Sequence, residues 1–139
     1  MTKKEDSPKL AQTKADLRRQ TVHISTLEQG ILLFQFEALT REIFIPFGDY
    51  LRTEHPKWTA PVRLIFDFRD AGVPSRFMID RAPRIFIDID LPEDTRIACL
   101  VDDNSLGHLI HRALESWRKS IPQINSFLNF DPALDWLLK

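Results

Sequence analysis

The feature that most constrains the fold is the apolar segment within residues 61–72. It reads Pro-Val-Arg-Leu-Ile-Phe-Asp-Phe-Arg-Asp-Ala-Gly, and its apolar run is too short for a helix. Consecutive rather than alternating apolar side chains are typical of a strand that is buried on both faces. The acids and the glycine that follow indicate a loop. We therefore predict a central β-strand with a polar loop at its carboxyl end.

Length and composition predict one domain. A chain of 139 residues with 43% hydrophobic residues and ten phenylalanines can bury one substantial core. Residues 1–20 are polar and mixed in charge, so we expect a flexible tail before a domain over residues 21–139. The 19 basic and 20 acidic residues nearly balance, which predicts neither a nucleic acid nor an anionic membrane as partner.

The sequence shows no membrane span, secretion signal or cofactor motif. Its apolar runs are too short to cross a bilayer, and its first residues lack the apolar core of a signal peptide. With four glycines it offers no phosphate-cradling loop, and we predict no cofactor. The single Cys99 lies in an apolar run and is interpreted as a core thiol rather than a nucleophile. We expect a cytoplasmic protein.

The first half of the domain opens with a predicted hairpin. Residues 21–27 and 31–36 have strand-like patterns, and residues 28–30 supply the turn between them. Residues 40–52 follow with apolar side chains at four-residue spacing, which predicts an amphipathic helix capped by a threonine. Because Pro46 falls inside this segment, either the helix is kinked there or its regular part begins there.

The middle of the chain is interpreted as a short helix and an extended segment. Ser75, or Pro74 as the first residue, begins a helix over residues 76–82, which Pro83 ends. Residues 84–90 carry β-branched side chains at alternate positions, which favours an extended segment with no assigned pairing partner.

The last third alternates strands and helices. Residues 95–101 indicate a buried strand, and Asn104 or Ser105 then caps a helix. A short strand at residues 124–130 precedes a terminal helix that an aspartate-proline pair at positions 131–132 opens. The apolar face of the capped helix comprises Leu106, Leu109, Ile110, Ala113, Leu114 and Trp117.

The predicted order is strand, strand, helix, strand, helix, strand, helix, strand, helix. Helices between the later strands imply right-handed crossovers and a mixed, mostly parallel sheet, with the opening hairpin as its antiparallel part. The fold class is therefore α/β, with about four helices in a single domain.

This order, with three local features, resembles the STAS-like (SpoIIAA-like) family of sulfate-transporter and anti-sigma-factor-antagonist domains over residues 21–139. The features are the strand of residues 30–36 that feeds a helix, the strand of residues 63–72, and the ending at residues 127–137. That ending, Phe-Leu-Asn-Phe-Asp-Pro-Ala-Leu-Asp-Trp-Leu, is similar to the one common in the bacterial SpoIIAA-like branch.

The resemblance implies a non-enzymatic regulatory module of a bacterial system that binds a protein partner or a second copy of itself. Anti-sigma-factor antagonists carry an acceptor serine or threonine in an Asp-Ser-(Ser/Thr)-Gly pattern after the central strand. Only Ser75 matches here, and the preceding acid and following glycine are missing. The implied partner-binding or phospho-acceptor residues are Asp70, Ser75 and Arg76. An ordinary serine helix cap explains Ser75 without phosphorylation.

The resemblance also leaves a second function open, a small-ligand or lipid carrier of the SEC14-like type. In that case residues 77–86, which are rich in aromatic side chains, would line an apolar pocket. A pocket formed by Phe77, Met78 and Phe86 would favour the carrier, and a flat face would favour the partner module.

Two further clusters have a chemical and a plain structural interpretation. His108 and His111 could bind a metal ion together with oxygen donors at positions 102–103. Two solvent-exposed histidines at the edge of a helix that bind no metal are a far more common arrangement. Asp67, Arg69 and Asp70 could form a polar site at the edge of the sheet, but an exposed ion-pair cluster is the more common arrangement. Sequence spacing assembles no nucleophile, base and orienting group.

Overall fold

The computed structural model describes residues 22–119, 121 and 123–139, and the tail predicted for residues 1–20 lies outside them. This part of the chain folds into five strands and four α-helices in the predicted order. The elements are β1 Val22–Thr26, β2 Leu32–Phe36, α1 Arg41–Glu54, β3 Arg63–Asp67, α2 Arg76–Ile89, β4 Arg96–Leu100, α3 Ser105–Trp117, β5 Ile124–Phe127 and α4 Phe130–Leu138.

The five strands form one sheet in the order β1-β2-β3-β4-β5. β1 and β2 are antiparallel, and every later pair is parallel, so the mixed, mostly parallel sheet with its opening hairpin is confirmed. β3 lies at the centre. Its residues Leu64, Ile65 and Phe66 are each 0% exposed, as expected for a strand that is covered on both faces.

One face of the sheet carries most of the helices and an aromatic core. Phe34, Phe36 and Phe66 project from neighbouring strands and meet Phe44 and Phe47 of α1 in the same buried cluster. Ring centroids of contacting pairs lie between 5.1 and 6.0 Å apart, mostly edge to face. Buried side chains of this size each contribute roughly 1.5–3 kcal/mol to folding, so this cluster is a main source of stability.

The other face is covered by α4. Ile65, Ala98 and Leu100 of the sheet pack against Ala133 and Leu137 of that helix in a second buried cluster. The sequence predicts an apolar stripe on this helix formed by Ala133, Leu134, Leu137 and Leu138. The stripe is partly confirmed, because Ala133 and Leu137 are fully buried while Leu138 is 47% exposed. The sheet is therefore a middle layer between two helical layers.

The prediction for residues 76–90 is wrong. A single helix, α2, runs from Arg76 to Ile89 through Pro83, and residues 84–90 form no strand. Its buried stripe comprises Met78, Ala82, Ile85, Phe86 and Ile89. An interior proline costs about 3 kcal/mol, but burying several large side chains at about 1.5–3 kcal/mol each outweighs that cost.

Pro46 also lies inside a helix. α1 begins at Arg41, so the alternative in which the helix starts at Pro46 is wrong. Thr40 occupies the predicted capping position, but its side chain makes no capping hydrogen bond. The predicted four-residue stripe is confirmed, because all its members are buried. They are Leu39, Ile43, Phe47 and Leu51.

The ends of the last two helices differ slightly from expectation. Asn104, not Ser105, caps α3, because its Oδ1 accepts a hydrogen bond from the backbone N–H of Gly107 at 2.9 Å. Leu109, expected on the buried face, is 38% exposed. α4 begins at Phe130, so the aspartate at 131 lies in its first turn and does not cap it. No helix in the described ranges has the length and apolar character to cross a membrane.

Candidate functional site

The candidate site lies where the carboxyl ends of β3, β4 and β5 meet at one edge of the sheet. Ligands and partners commonly bind at this edge in open α/β sheets. The segment of residues 68–75, here called the β3–α2 loop, leaves the central strand at this edge. Asp70 and Ser75 belong to it, and Arg76 is the first residue of α2. The structure therefore places the three predicted residues on one short segment.

Asp67 and Arg69 fix the start of the loop. The Arg69 guanidinium donates through Nε and Nη2 to the two carboxylate oxygens of Asp67, each at 3.0 Å. The hydrogen bond to Asp67 is the main reason why the pKa of Arg69 is raised above its ordinary value. Asp67 is 6% exposed, so the expectation of an exposed cluster of weak ion pairs is wrong for this residue. It is buried because β3 is covered on both faces.

The same guanidinium joins the loop to the last helix. The Arg69 guanidinium carbon lies 5.0 Å from the ring centroid of Phe130, the first residue of α4. A guanidinium over an aromatic face is attracted by the ring quadrupole. Arg69 therefore connects the end of β3 to the junction between β5 and α4, and its Nε and Nη2 are both bound to Asp67.

The backbone N–H of Asp70 is hydrogen-bonded, while its side chain is exposed to solvent. Its φ is 62°, in the left-handed region, and its N–H donates to Asp102 Oδ2 at 2.9 Å. The start of α3 supports Asp102 closely, because a Cβ on Gly107 would lie 1.6 Å from the Asp102 carbonyl oxygen. The residue is exposed, and its carboxylate has no ion-pair partner among the described residues.

Ser75 caps α2, as the plain interpretation predicted. Its Oγ accepts a hydrogen bond from the Met78 N–H at 3.1 Å, and its own N–H donates to the Leu39 carbonyl at 2.9 Å. Arg76 is displayed to solvent, with its side chain 91% exposed and its Nε 3.3 Å from Asp80 Oδ2. Phosphorylation of Ser75 stays a prediction.

The tip of the loop is apolar and was not singled out from the sequence. Val73 is 66% exposed, while Pro74 beside it is buried. Gly72 has a φ of 87°, which a residue with a Cβ rarely adopts. The bonds of Asp70 to Asp102 and of Ser75 to Leu39 hold both sides of this tip. Val73 therefore lies between two exposed charged residues, the acidic Asp70 and the basic Arg76.

Asp102 was considered only as a metal donor, but it supports the loop. A usable sequence signal was its place two residues after β4, since residues that follow neighbouring parallel strands meet at one edge. The two histidines have different neighbours. His108 Nε2 lies 3.6 Å from Asp103 Oδ1, whereas His111 Nδ1 lies 2.6 Å from Ser126 Oγ. Within the part of the chain that the structure describes, no three metal-ligating side chains form a group that could hold an ion.

Cys99 lies in the core of the sheet. It is 0% exposed, and burial raises the pKa of its thiol above the ordinary value. A buried, protonated thiol is a poor nucleophile, so the interpretation as a core residue is confirmed.

Phe77, Met78 and Phe86, the residues named for a carrier pocket, lie in different places in the described part of the chain. Met78 is 0% exposed and belongs to the core. Phe77 lines a groove between α1 and α2, together with charged residues of both helices. Phe86 lines a different groove, at the far end of α2. Among the described residues, Phe77 and Phe86 thus line separate grooves, and Met78 lines neither of them.

Comparison with known proteins supports the fold. A solved structure from Thermotoga maritima, described as a candidate anti-sigma factor antagonist, superimposes with a TM-score of 0.61 over 85% of this chain and 95% of that chain. The two sequences are 12% identical, so the likeness concerns the fold. No protein-family model matches the sequence, and no curated protein matches it significantly. The STAS-like fold that the sequence resembled is thereby confirmed.

Proposed function

We propose that this chain is a non-enzymatic STAS-like module of a bacterial, cytoplasmic regulatory system. It binds a protein partner through the β3–α2 loop and the start of α2. The observation that carries the proposal is the loop tip, where Val73 is 66% exposed on a backbone held at both sides. An ordered apolar residue displayed in this way loses little conformational entropy on binding, which favours association.

The flanking charges support a partner of defined orientation. Asp70 and Arg76 lie on either side of Val73 and are both exposed. Opposite charges at the rim of an interface mainly determine specificity and the association rate, while the buried apolar centre provides affinity. The fold likeness supports the proposal, because the structural neighbour is described as a candidate anti-sigma factor antagonist.

Regulation through Ser75 is a further part of the proposal. The Oγ already lies at the amino end of α2, where the Met78 N–H donates to it. A phosphate there would meet free amide groups and the positive end of the helix dipole. Among the described residues, the ion-pair partner of Arg76 is Asp80. This exposed i, i+4 pair is weak enough to exchange for a phosphate.

The test compares three variants in a pull-down from the source cell, read by quantitative mass spectrometry. Val73→Asp and Arg76→Glu change the proposed surface, and Ile87→Asp is the matched control at another exposed aliphatic residue, 57% exposed on α2. A partner that wild type and Ile87→Asp retain but both surface variants lose supports the proposal. Light scattering on the purified protein then shows whether that partner is a second copy.

A specific partner that binds Val73→Asp as well as wild type would overturn the proposed surface. For Ser75, the comparison is between Ser75→Asp and Ser75→Ala. If an acidic group at this position regulates binding, the partner's affinity changes with the aspartate and not with the alanine. Equal affinities for both variants would exclude regulation by charge at Ser75.

A further inference from the structure

A second candidate site lies at the amino edge of the sheet, away from the β3–α2 loop. A groove of about 620 Å³ runs between the turn before β2, the loop that enters β3 and the end of α4. Ligand pockets in proteins typically enclose about 300–1,000 Å³, so the groove can hold a small molecule. Its walls come from three separate parts of the chain, so no continuous sequence motif predicts the groove.

The charge of the groove has one sign. Its lining includes the two cationic residues Lys57 and Arg63 and contains no aspartate or glutamate. Lys57 Nζ lies 3.2 Å from Glu54 Oε2, but that lysine side chain is 67% exposed and the pair is a weak surface contact. Arg63 forms no ion pair with a carboxylate of the described residues. An anionic group entering the groove therefore meets two positive charges, of which only Lys57 has a carboxylate partner among the described residues.

Arg63 is already fixed in place by the protein. Its Nε donates to the Leu137 carbonyl at 2.7 Å, and its Nη1 donates to the Asp94 carbonyl at 3.0 Å and the Val62 carbonyl at 3.3 Å. Its Nη2 has no hydrogen-bond acceptor in the described part of the chain. A half-buried guanidinium with a fixed position and unused donors can bind an oxyanion with little further loss of side-chain entropy.

The rest of the lining is largely apolar. Leu32 and Trp58 are partly buried at the border of the larger core cluster, and Leu138 is 47% exposed at the end of α4. These side chains line the same groove as the two cations. A wholly polar anion would leave them in contact with water, whereas a molecule with an apolar body would cover them.

We propose that this groove binds a small molecule that carries one anionic head group on an apolar body. The head group binds Lys57 and Arg63, and the apolar body lies against Leu32, Trp58 and Leu138. The site differs from the pocket expected of a carrier, because its residues come from the amino edge of the sheet and the end of α4 instead of α2. It is also independent of the proposed partner surface.

The test uses decanoate as the probe and decanamide, its neutral analogue of equal length, as the comparison. Both are added below their aggregation limits to ¹⁵N-labelled protein and followed through the three tryptophan indole signals. We expect decanoate to shift the Trp58 signal saturably and to leave the fully buried Trp117 unchanged. Decanamide should bind roughly tenfold more weakly, because it lacks the charge-assisted bonds.

Variants at exposed positions identify the site without disturbing the core. Lys57→Glu should weaken decanoate binding roughly tenfold, and Leu138→Ser should weaken decanoate and decanamide alike. Lys119→Glu is the matched control, because this exposed lysine does not line the groove. Val73→Asp should also leave decanoate binding unchanged, which separates this test from that of the partner surface.

Three results would overturn the inference. The first is the absence of any saturable change at Trp58 in the wild-type protein. The second is equal affinity for decanoate and decanamide, which would show that the cations do not take part. The third is an affinity for decanoate that Lys57→Glu reduces no more than Lys119→Glu does. The first two comparisons use the wild-type protein, so they hold even if a variant fails to fold.

Discussion

Asp67 is a charged residue buried in the described part of the chain. It is buried at the end of the central strand, and both of its carboxylate oxygens accept hydrogen bonds from Arg69. Arg69 in turn has a side chain 30% exposed, so water reaches one partner of the pair and not the other. The pair therefore organises the start of the β3–α2 loop, and its removal should affect stability more than an exposed pair would.

We predict that Asp67→Asn lowers the free energy of unfolding by about 1–3 kcal/mol, since it removes one partner of a hydrogen-bonded charge pair. The matched control is Asp80→Asn, which breaks the exposed pair with Arg76 and should cost less than about 1 kcal/mol. Urea unfolding at neutral pH measures both. Equal losses in the two variants would show that burial of Asp67 adds nothing.

Cys99 should make the protein sensitive to alkali. Burial raises the pKa of its thiol in the folded state, so above the ordinary pKa of 9.0 the unfolded chain releases a proton that the folded chain retains. The resulting stabilisation is complete below pH 9 and is lost as the pH rises, by about 1.4 kcal/mol per pH unit. Unfolding free energies of wild type and Cys99→Ala should therefore converge above pH 9. Parallel curves would contradict the prediction.

At the scale of the elements, burial decides where helices continue. α2 passes through Pro83 because its buried stripe extends on both sides of the proline, from Met78 to Ile89. The end of α4 shows a different effect, because arginines from two neighbouring strands donate to its last carbonyl groups. Arg63 binds the Leu137 carbonyl, and Arg96 binds the Trp136 carbonyl, each at 2.7 Å. Cations at the carboxyl end of a helix also interact favourably with the helix dipole.

We predict that Pro83→Ala raises the free energy of unfolding by about 1–2 kcal/mol, because it restores a helical hydrogen bond and loses only part of that gain to a more flexible unfolded chain. The control is Pro132→Ala, in the first turn of α4, where the added N–H has no helical acceptor. That change should be neutral or destabilising. Thermal and urea unfolding give both values, and a stabilising Pro132→Ala would contradict the argument.

Arg96→Ala should destabilise the protein by about 1–2 kcal/mol, through loss of a helix-capping bond and of a cation above an aromatic ring. The Arg96 guanidinium carbon lies 5.7 Å from the Trp136 ring centroid. Arg112→Ala, at an exposed position of α3, should change the stability by less than about 0.5 kcal/mol. If both substitutions have the same small effect, the contacts at the end of α4 contribute no net stability.

For the whole molecule, the three-layer arrangement predicts where the fold is most resistant to opening. β3 lies between β2 and β4 and is covered by helices on both faces, whereas β1 and β5 form the edges of the sheet. At the β5 edge, the Ser126 N–H donates to the side chain of the preceding residue, at 3.0 Å from Asn125 Oδ1, and not to another strand. Local opening at an edge exposes less apolar surface than opening at the centre.

Amide hydrogen exchange followed by NMR should therefore be slowest for Ile65 and Phe66 in β3 and faster for Ile24 in β1 and Ser126 in β5. The expected order follows from the number of strands and helices that must move before an amide meets water. Equal protection of Ser126 and Phe66 would contradict the prediction, and would indicate that the β5 edge is covered in solution.

Much of the fold was predictable, because strand periodicity, helix caps and element order depend on residues close together in the chain. β3, the order of nine elements and the cap at Ser75 follow from such local patterns. The candidate site was predictable in position, since Asp70, Ser75 and Arg76 follow the central strand. Its shape was not, because the exposure of Val73 and the support from Asp102 depend on contacts between separate segments.

Only the tertiary structure decided which of two opposing local effects prevailed. The proline at 83 predicts a helix end, and the burial of Ile85, Phe86 and Ile89 against the sheet overrides it. Asp67 and Arg69 were expected to form an exposed pair, but Asp67 is buried in the folded protein. The groove around Arg63 exists only because three separate chain segments come together. The physical reason is that the free energy of burial depends on which surfaces meet, and the surfaces here belong to residues far apart in the sequence.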